Sequence, residues 1–114
     1  VFDEPLTVDP FLRDTRIAIR RALPGGALTI DSLALELSVS RRTLQRRLSA
    51  LQSSFKTMLQ DVREEQSRRY LDDPRLAVTE IALLLGYSDQ ASFSNAFKSW
   101  CGCAPTEYRQ RISD

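Results

Sequence analysis

The sequence predicts an all-α domain, and three observations predict it. Breakers at Pro5, Pro10, Pro24-Gly25-Gly26, Pro74, Gly86, Gly102 and Pro105 leave helix-length segments between them. Apolar residues recur at helical spacing, whereas no alternating run rich in Val, Ile or Thr is long enough for a strand. The segment from Ile30 to Leu51 also resembles the segment from Val78 to Trp100 position by position.

Residues 1–8 are expected to form a tether. Val1-Phe2-Asp3-Glu4-Pro5, without an initiating Met, reads as cut from a larger protein whose amino-terminal domain is missing. A first helix is predicted from about Asp9 to Leu23, with Leu12, Thr15, Ile19, Ala22 and Leu23 on one face and Pro24-Gly25-Gly26 ending it. The first copy of the repeat follows and closes a first unit over 9–54. A long helix is predicted from about Phe55 to Asp72, a linker over 55–73. Phe55, Met58, Leu59 and Val62 share one stripe while Tyr70 and Leu71 point elsewhere, which suits a helix with different neighbours at its two ends. Glu64, Glu65, Arg68 and Arg69 supply acid-before-base pairs at i,i+4 on a solvated face. The second copy makes a second unit over 74–114.

Within the repeat, Leu33-Ala34 matches Ile81-Ala82, and Leu37-Ser38-Val39-Ser40 matches Leu85-Gly86-Tyr87-Ser88, at an offset of 48. Leu44 and Leu48 then match Phe93 and Phe97 at an offset of 49, so one extra residue has entered the second turn. Each copy reads as a short helix, a tight turn and a second helix, the helix-turn-helix layout. Ala34 and Ala82 allow the two helices to approach closely where they cross. Gly86 takes positive φ at little steric cost, whereas Ser38 carries a Cβ there. Val39 and Tyr87 plug the angle, and Ser40, with Ser88 or Asp89, is placed to N-cap the second helices.

Composition narrows the function. With no His, the chain lacks the usual general base and the commonest metal ligand. Cys101 and Cys103 are too few for a structural zinc site and too close for a relaxed disulfide, so they read as reduced thiols. Glu64-Glu65 and Asp72-Asp73 fall on different sides of a helix, the serines have no His partner, and Gly25-Gly26 lacks a following Lys-Ser or Lys-Thr. An enzyme is not expected, nor is a cofactor. No apolar run approaches a membrane span and Asp3-Glu4 does not begin a signal peptide, so a cytoplasmic location with no membrane partner is expected.

The formal charge is only +1, but it is sorted along the chain. Residues 37–60 contain Arg41, Arg42, Arg46, Arg47 and Lys56 and no Asp or Glu, while residues 1–14 are acid-rich. With Leu44, Leu48 and Leu51 as the buried stripe, Arg42, Arg46 and Ser49 lie opposite, Gln45 beside them, and Arg41 and Arg47 on the flanks. That face has the composition of a DNA reader. An ordinary pair of helical hairpins would show the same periodicity, but a solvated helix would interleave acids among so many arginines. In the second copy Phe93, Phe97 and Trp100 form the buried stripe; Gln90, Ala91, Ser94, Asn95 and Lys98 lie away from it. Asn and Gln can pair with adenine and Ala can touch a thymine methyl, but a merely exposed polar face accounts for these residues equally well.

These residues resemble the DNA-binding domain of the AraC/XylS family of bacterial transcription regulators. The resemblance runs from about Asp9 to Arg111, through Ser40-Arg41-Arg42-Thr43-Leu44-Gln45-Arg46-Arg47-Leu48, Ser54-Phe55, Arg63, Ile81-Ala82, Leu85-Gly86-Tyr87-Ser88-Asp89, Phe93-Ser94, Ala96-Phe97-Lys98, Gly102, Pro105 and Tyr108-Arg109. It implies seven helices, with two helix-turn-helix subdomains joined by the long helix and recognition helices entering adjacent major grooves on one face of bent double-stranded DNA. The implied base readers are Arg42, Gln45 and Arg46 in the first copy and Gln90, Ala91, Ser94, Asn95 and Lys98 in the second. Phosphate contacts are expected from helix N-termini and from Arg41, Arg47, Ser49 and Lys56.

The expected function is sequence-specific binding at promoters, activating transcription through RNA polymerase, with a small-molecule effector acting only through the missing amino-terminal domain. The wording of Tyr70-Leu71-Asp72-Asp73-Pro74-Arg75-Leu76 looks most like the larger, two-domain class of relatives. The competing reading is a protein-interaction module that kept the fold and lost DNA reading. Four features depart from the family pattern: Ser67 for a usual alanine, Asn95 where arginine is common, the two cysteines, and Ala77 as a poor N-cap.

Overall fold

A computed structural model describes residues 9–113. The tether expected over residues 1–8 lies outside the described residues. Seven helices and no strands are present among those residues: α1 (Pro10–Ala22), α2 (Ile30–Glu36), α3 (Arg41–Ala50), α4 (Phe55–Leu71), α5 (Val78–Leu84), α6 (Gln90–Cys101) and α7 (Pro105–Ser113).

Helix starts follow from short polar side chains that satisfy the first free backbone N–H groups. The Asp9 carboxylate accepts from the Phe11 N–H at 2.8 Å, with Pro10 at the first helical position. Thr29 and Ser32 cap α2 reciprocally. Ser40, Ser54 and Asp89 cap α3, α4 and α6 through the N–H groups of Thr43, Thr57 and Ser92. Ala77 offers no side-chain acceptor at the start of α5, and there the Glu80 carboxylate takes up the Ala77 N–H at 2.9 Å. Gly102 ends α6 at φ +79.

The two helix-turn-helix units, α2–α3 and α5–α6, share their turn chemistry. The Val39 N–H donates to the Ala34 carbonyl and the Tyr87 N–H to the Ala82 carbonyl, each at 3.0 Å. Ser38 and Gly86, the residues before them, both have positive φ, 59 and 88. After this point the copies shift register: Ser40 caps α3, but Asp89, one residue later in register, caps α6. The extra residue, Ser88, lies in that second turn.

One continuous core runs through both units. Ile19 from α1, Leu33 and Ala34 from α2, Leu44 and Leu48 from α3, and Met58 and Val62 from α4 join Leu71, Ile81, Ala82, Leu85, Phe93 and Phe97. α4 links them, packing against α1 along one side and against α5, α6 and α7 on the other. Thr15 is buried in α1 with its hydroxyl satisfied, donating to the Phe11 carbonyl at 2.7 Å. Ser67, which stands for the usual alanine, is accommodated in the same way, donating to the Glu64 carbonyl at 2.7 Å.

In the second unit Tyr87, Phe93, Phe97, Trp100 and Tyr108 form a chain of tilted and edge-to-face rings with centroids 5.3–6.3 Å apart. Trp100 is half-buried at the end of that chain. Leu51, expected on the buried stripe of the first unit, is instead the half-buried C-cap of α3, because the helix stops one residue before it. Cys103 is buried and Cys101 half-buried, and both are free thiols.

Candidate nucleic-acid interface

The outward face of α3 follows from its caps and its two anchors. Ser40 fixes the start of the helix, and Leu44 and Leu48 bury one stripe completely, so Arg42, Gln45, Arg46 and Ser49 are all exposed on the other side. Among the described residues neither Arg42 nor Arg46 has an ion-pair partner. The two flanking arginines are held differently. Arg41 pairs with Asp31 on α2 at 3.5 Å, and the Arg47 guanidinium sits 5.1 Å from the centroid of the Phe11 ring. Both therefore reach back toward their own unit, while Arg42 and Arg46 project from it.

Lys56 joins this surface from the first turn of α4. It lines a groove with Gln45, Ser49, Ser53 and Ser54, and also a second groove with Arg63, Ala96, Ser99 and Trp100. It thus borders α3 on one side and, through Ala96, Ser99 and Trp100, α6 on the other. On α6, Gln90, Ala91, Asn95 and Lys98 are exposed, whereas Ser94 is half-buried and less outward than its neighbours. The sequence-predicted base readers therefore fall on two helices, α3 and α6.

The three relevant helix N-termini differ in charge. α3 and α4 begin on the neutral hydroxyls of Ser40 and Ser54, which leaves the positive end of each helix dipole uncompensated. α6 begins on Asp89, whose carboxyl is held below its ordinary value by the Ser92 N–H. A phosphate is favoured at the first two ends and disfavoured at the third.

Two further arginines that stand in the resemblance motifs, Arg63 and Arg109, serve backbone carbonyls. Arg63 donates from Nε to the Leu85 carbonyl at 2.9 Å and lies 4.3 Å over the Tyr87 ring. Arg109 donates to the carbonyls of Leu71 and Asp73, each at 3.2 Å, closing the end of α4. No periodicity signals such roles, because each guanidinium serves carbonyls more than 20 residues away. Of the two acid-before-base pairs expected on α4, Glu64–Arg68 forms at 2.7 Å. Arg69 turns instead to the Gln66 side chain at 3.5 Å, since the buried Gln66 carbonyl oxygen lies one turn back. Arg68 also touches the Cys101 sulfur, tying α4 to α6.

A sequence model described as "Helix-turn-helix domain" matches residues 33–111, from within α2 through the linking helix α4 and the whole of the second helix-turn-helix unit. The chain belongs to the AraC-type helix-turn-helix family of DNA-binding transcriptional regulators. Among its relatives in that family, the ornithine utilization regulator of Pseudomonas aeruginosa is 40% identical over 95 residues, covering 81% of this chain and 28% of the relative. The chain thus spans between a quarter and a third of that relative's length. Among solved structures, the C-terminal domain of AraT, a response regulator from Geobacillus stearothermophilus, superposes with a TM-score of 0.78 at 34% identity, covering 92% of this chain and 88% of that one. The DNA-binding domain of AdpA, a global transcriptional factor solved in complex with a target DNA, superposes with a TM-score of 0.74 at 26% identity, covering 91% and 93%. No helix among the described residues is long and apolar enough to cross a membrane.

Proposed function

We propose that this AraC-type domain reads a bipartite promoter site, with α3 and α6 in adjacent major grooves on one face of the duplex, and that it activates transcription by contacting RNA polymerase. The observation that carries the reading is the α3 face: Arg42, Gln45 and Arg46 exposed, with no carboxylate among residues 37–60. Arg42, Gln45 and Arg46, and Gln90, Ala91, Ser94, Asn95 and Lys98, are the base readers in this proposal; Arg41, Arg47, Ser49 and Lys56 serve phosphates. The division into a first reader over 9–54, a linker over 55–73 and a second reader from 74 onward is part of it, as are work in the cytoplasm and any effector acting through a further domain.

Scale agrees with this. α4 has 17 residues, so it is about 25 Å long at 1.5 Å per residue. The described chain measures 43 × 37 × 22 Å. Two readers one helical turn apart, about 34 Å, fit its longer dimensions. Asn95 weakens or redirects the second reader relative to an arginine, favouring adenine over guanine.

Footprinting on a duplex selected from a random library tests the reading. Two protected segments on one face, one turn apart, are expected. Absence of protection at low salt overturns it.

A further inference from the structure

We propose that the junction around Arg63 is a spacing ruler: it locks the second reader against the first, and so sets which separation of half-sites the protein accepts. This rests on the DNA reading proposed above and goes beyond it by assigning a specificity-determining role to residues outside the reading faces.

Besides sharing α4, the two units meet where the loop after α1 touches the turn of the second unit. The approach is close. A Cβ built on Gly86 would lie 2.9 Å from the Leu23 carbonyl oxygen and 3.2 Å from Nη2 of Arg63, and one built on Gly26 would lie 3.2 Å from the Gly86 carbonyl oxygen. Arg63, projecting from the middle of α4, closes the junction by donating to Leu85, the C-cap of α5, and stacking on Tyr87. Backbone of the first unit, a side chain of the linker and backbone of the second unit thus meet at one point. Arg109 holds the second unit to the end of α4 at another. These two points add to the core packed along α4 in fixing how the second unit is rotated against the first.

The first unit has no counterpart. Its turn residue, Ser38, takes the same positive φ with a Cβ, and no guanidinium is bonded to the Leu37 carbonyl among the described residues. The repeat needs its fold twice but the junction once, so Arg63, Gly26 and the glycine identity of residue 86 belong to the relation between units.

Inserting or deleting one base pair moves a half-site by about 3.4 Å and roughly a tenth of a turn. A rigid pair of readers cannot follow that change without losing contacts. The test measures the binding of the full chain to its selected site and to versions with one base pair added or removed between half-sites. Wild type is expected to lose about tenfold or more per step, the scale of a lost base contact. Arg63→Ala is expected to flatten that penalty to about threefold or less while keeping its discrimination against base changes within each half-site. Arg63→Lys, which keeps a donor but cannot stack as a planar fork, should fall between them and serves if the alanine variant does not fold.

Uniform weakening with the spacing penalty intact overturns the proposal. Residual dipolar couplings on the free chain give a readout without DNA: α3 and α6 are expected to share one alignment frame in wild type and to require two in the variants. One shared frame in every variant also overturns it. Failure of wild type to select any DNA would sink the function proposed above, and the couplings would still report whether the junction fixes the two units.

Discussion

Arg46 and Lys56 are both exposed cations ten residues apart, but they are assigned to different targets, and that difference is measurable. Arg46→Ala is expected to cost about 1–3 kcal/mol on the selected site and to relax one base position. Lys56→Ala should weaken all sequences alike and reduce the salt slope by about 1. Competition titrations on specific and scrambled duplexes at several salt concentrations check both; equal losses for Arg46→Ala on the two duplexes would show it to be a phosphate contact.

A second residue-scale prediction concerns acid. The Asp73 carboxyl is held at about 2, against an ordinary 3.8, chiefly by hydrogen bonds from the Arg75 side chain and then its backbone N–H. A depressed folded-state pKa contributes stability above the unfolded value, and that contribution is lost as pH falls from about 3.8 toward 2. Thermal melts should therefore show wild type losing stability across that window more steeply than Asp73→Asn, with the two curves parallel above it. The exposed cations were legible in the sequence because α3 has a clear apolar stripe. The arginines that serve carbonyls were not, since Arg63 and Leu85 are 22 residues apart and only the folded chain brings them together.

At the scale of elements, the repeat was legible almost residue by residue. Ala34 with Ala82, Val39 with Tyr87 and the serine or aspartate caps are all local chemistry, and local chemistry leaves its pattern in the sequence. The different demands on the two turns were legible only in part. Positive φ alone made Gly86 look merely more comfortable than Ser38, but the neighbouring Leu23 carbonyl leaves no room for a side chain. This separates two glycines with nearly the same backbone. Gly102→Ala at φ +79 meets nothing within 4 Å, and should cost about 1–2 kcal/mol, the left-handed penalty alone. Gly86→Ala at φ +88 meets backbone at 2.9 Å, and should cost clearly more. Chemical denaturation of the two variants checks the order; equal midpoints would mean that the turn yields freely.

For the whole molecule, near-neutral charge conceals a basic reader cancelled by acids elsewhere in the chain, so useful affinity is expected to need base contacts as well as charge. The continuous core implies that the two units unfold together. Phe97→Ala, which empties the centre of the aromatic chain, should cost about 3–5 kcal/mol, and should shift one shared transition seen both by Trp100 fluorescence and by helix content. Separate transitions would show independent units.

The central claim is that two matched readers act together on one duplex face. Binding-site selection from random DNA with the whole chain tests it most directly. A two-part motif is predicted, its halves about 10–10.5 base pairs apart, with the half read by α3 the more strongly specified. A single half-site would contradict the claim and make Asn95 the first position to restore to arginine; no enriched motif at low salt would contradict DNA reading altogether.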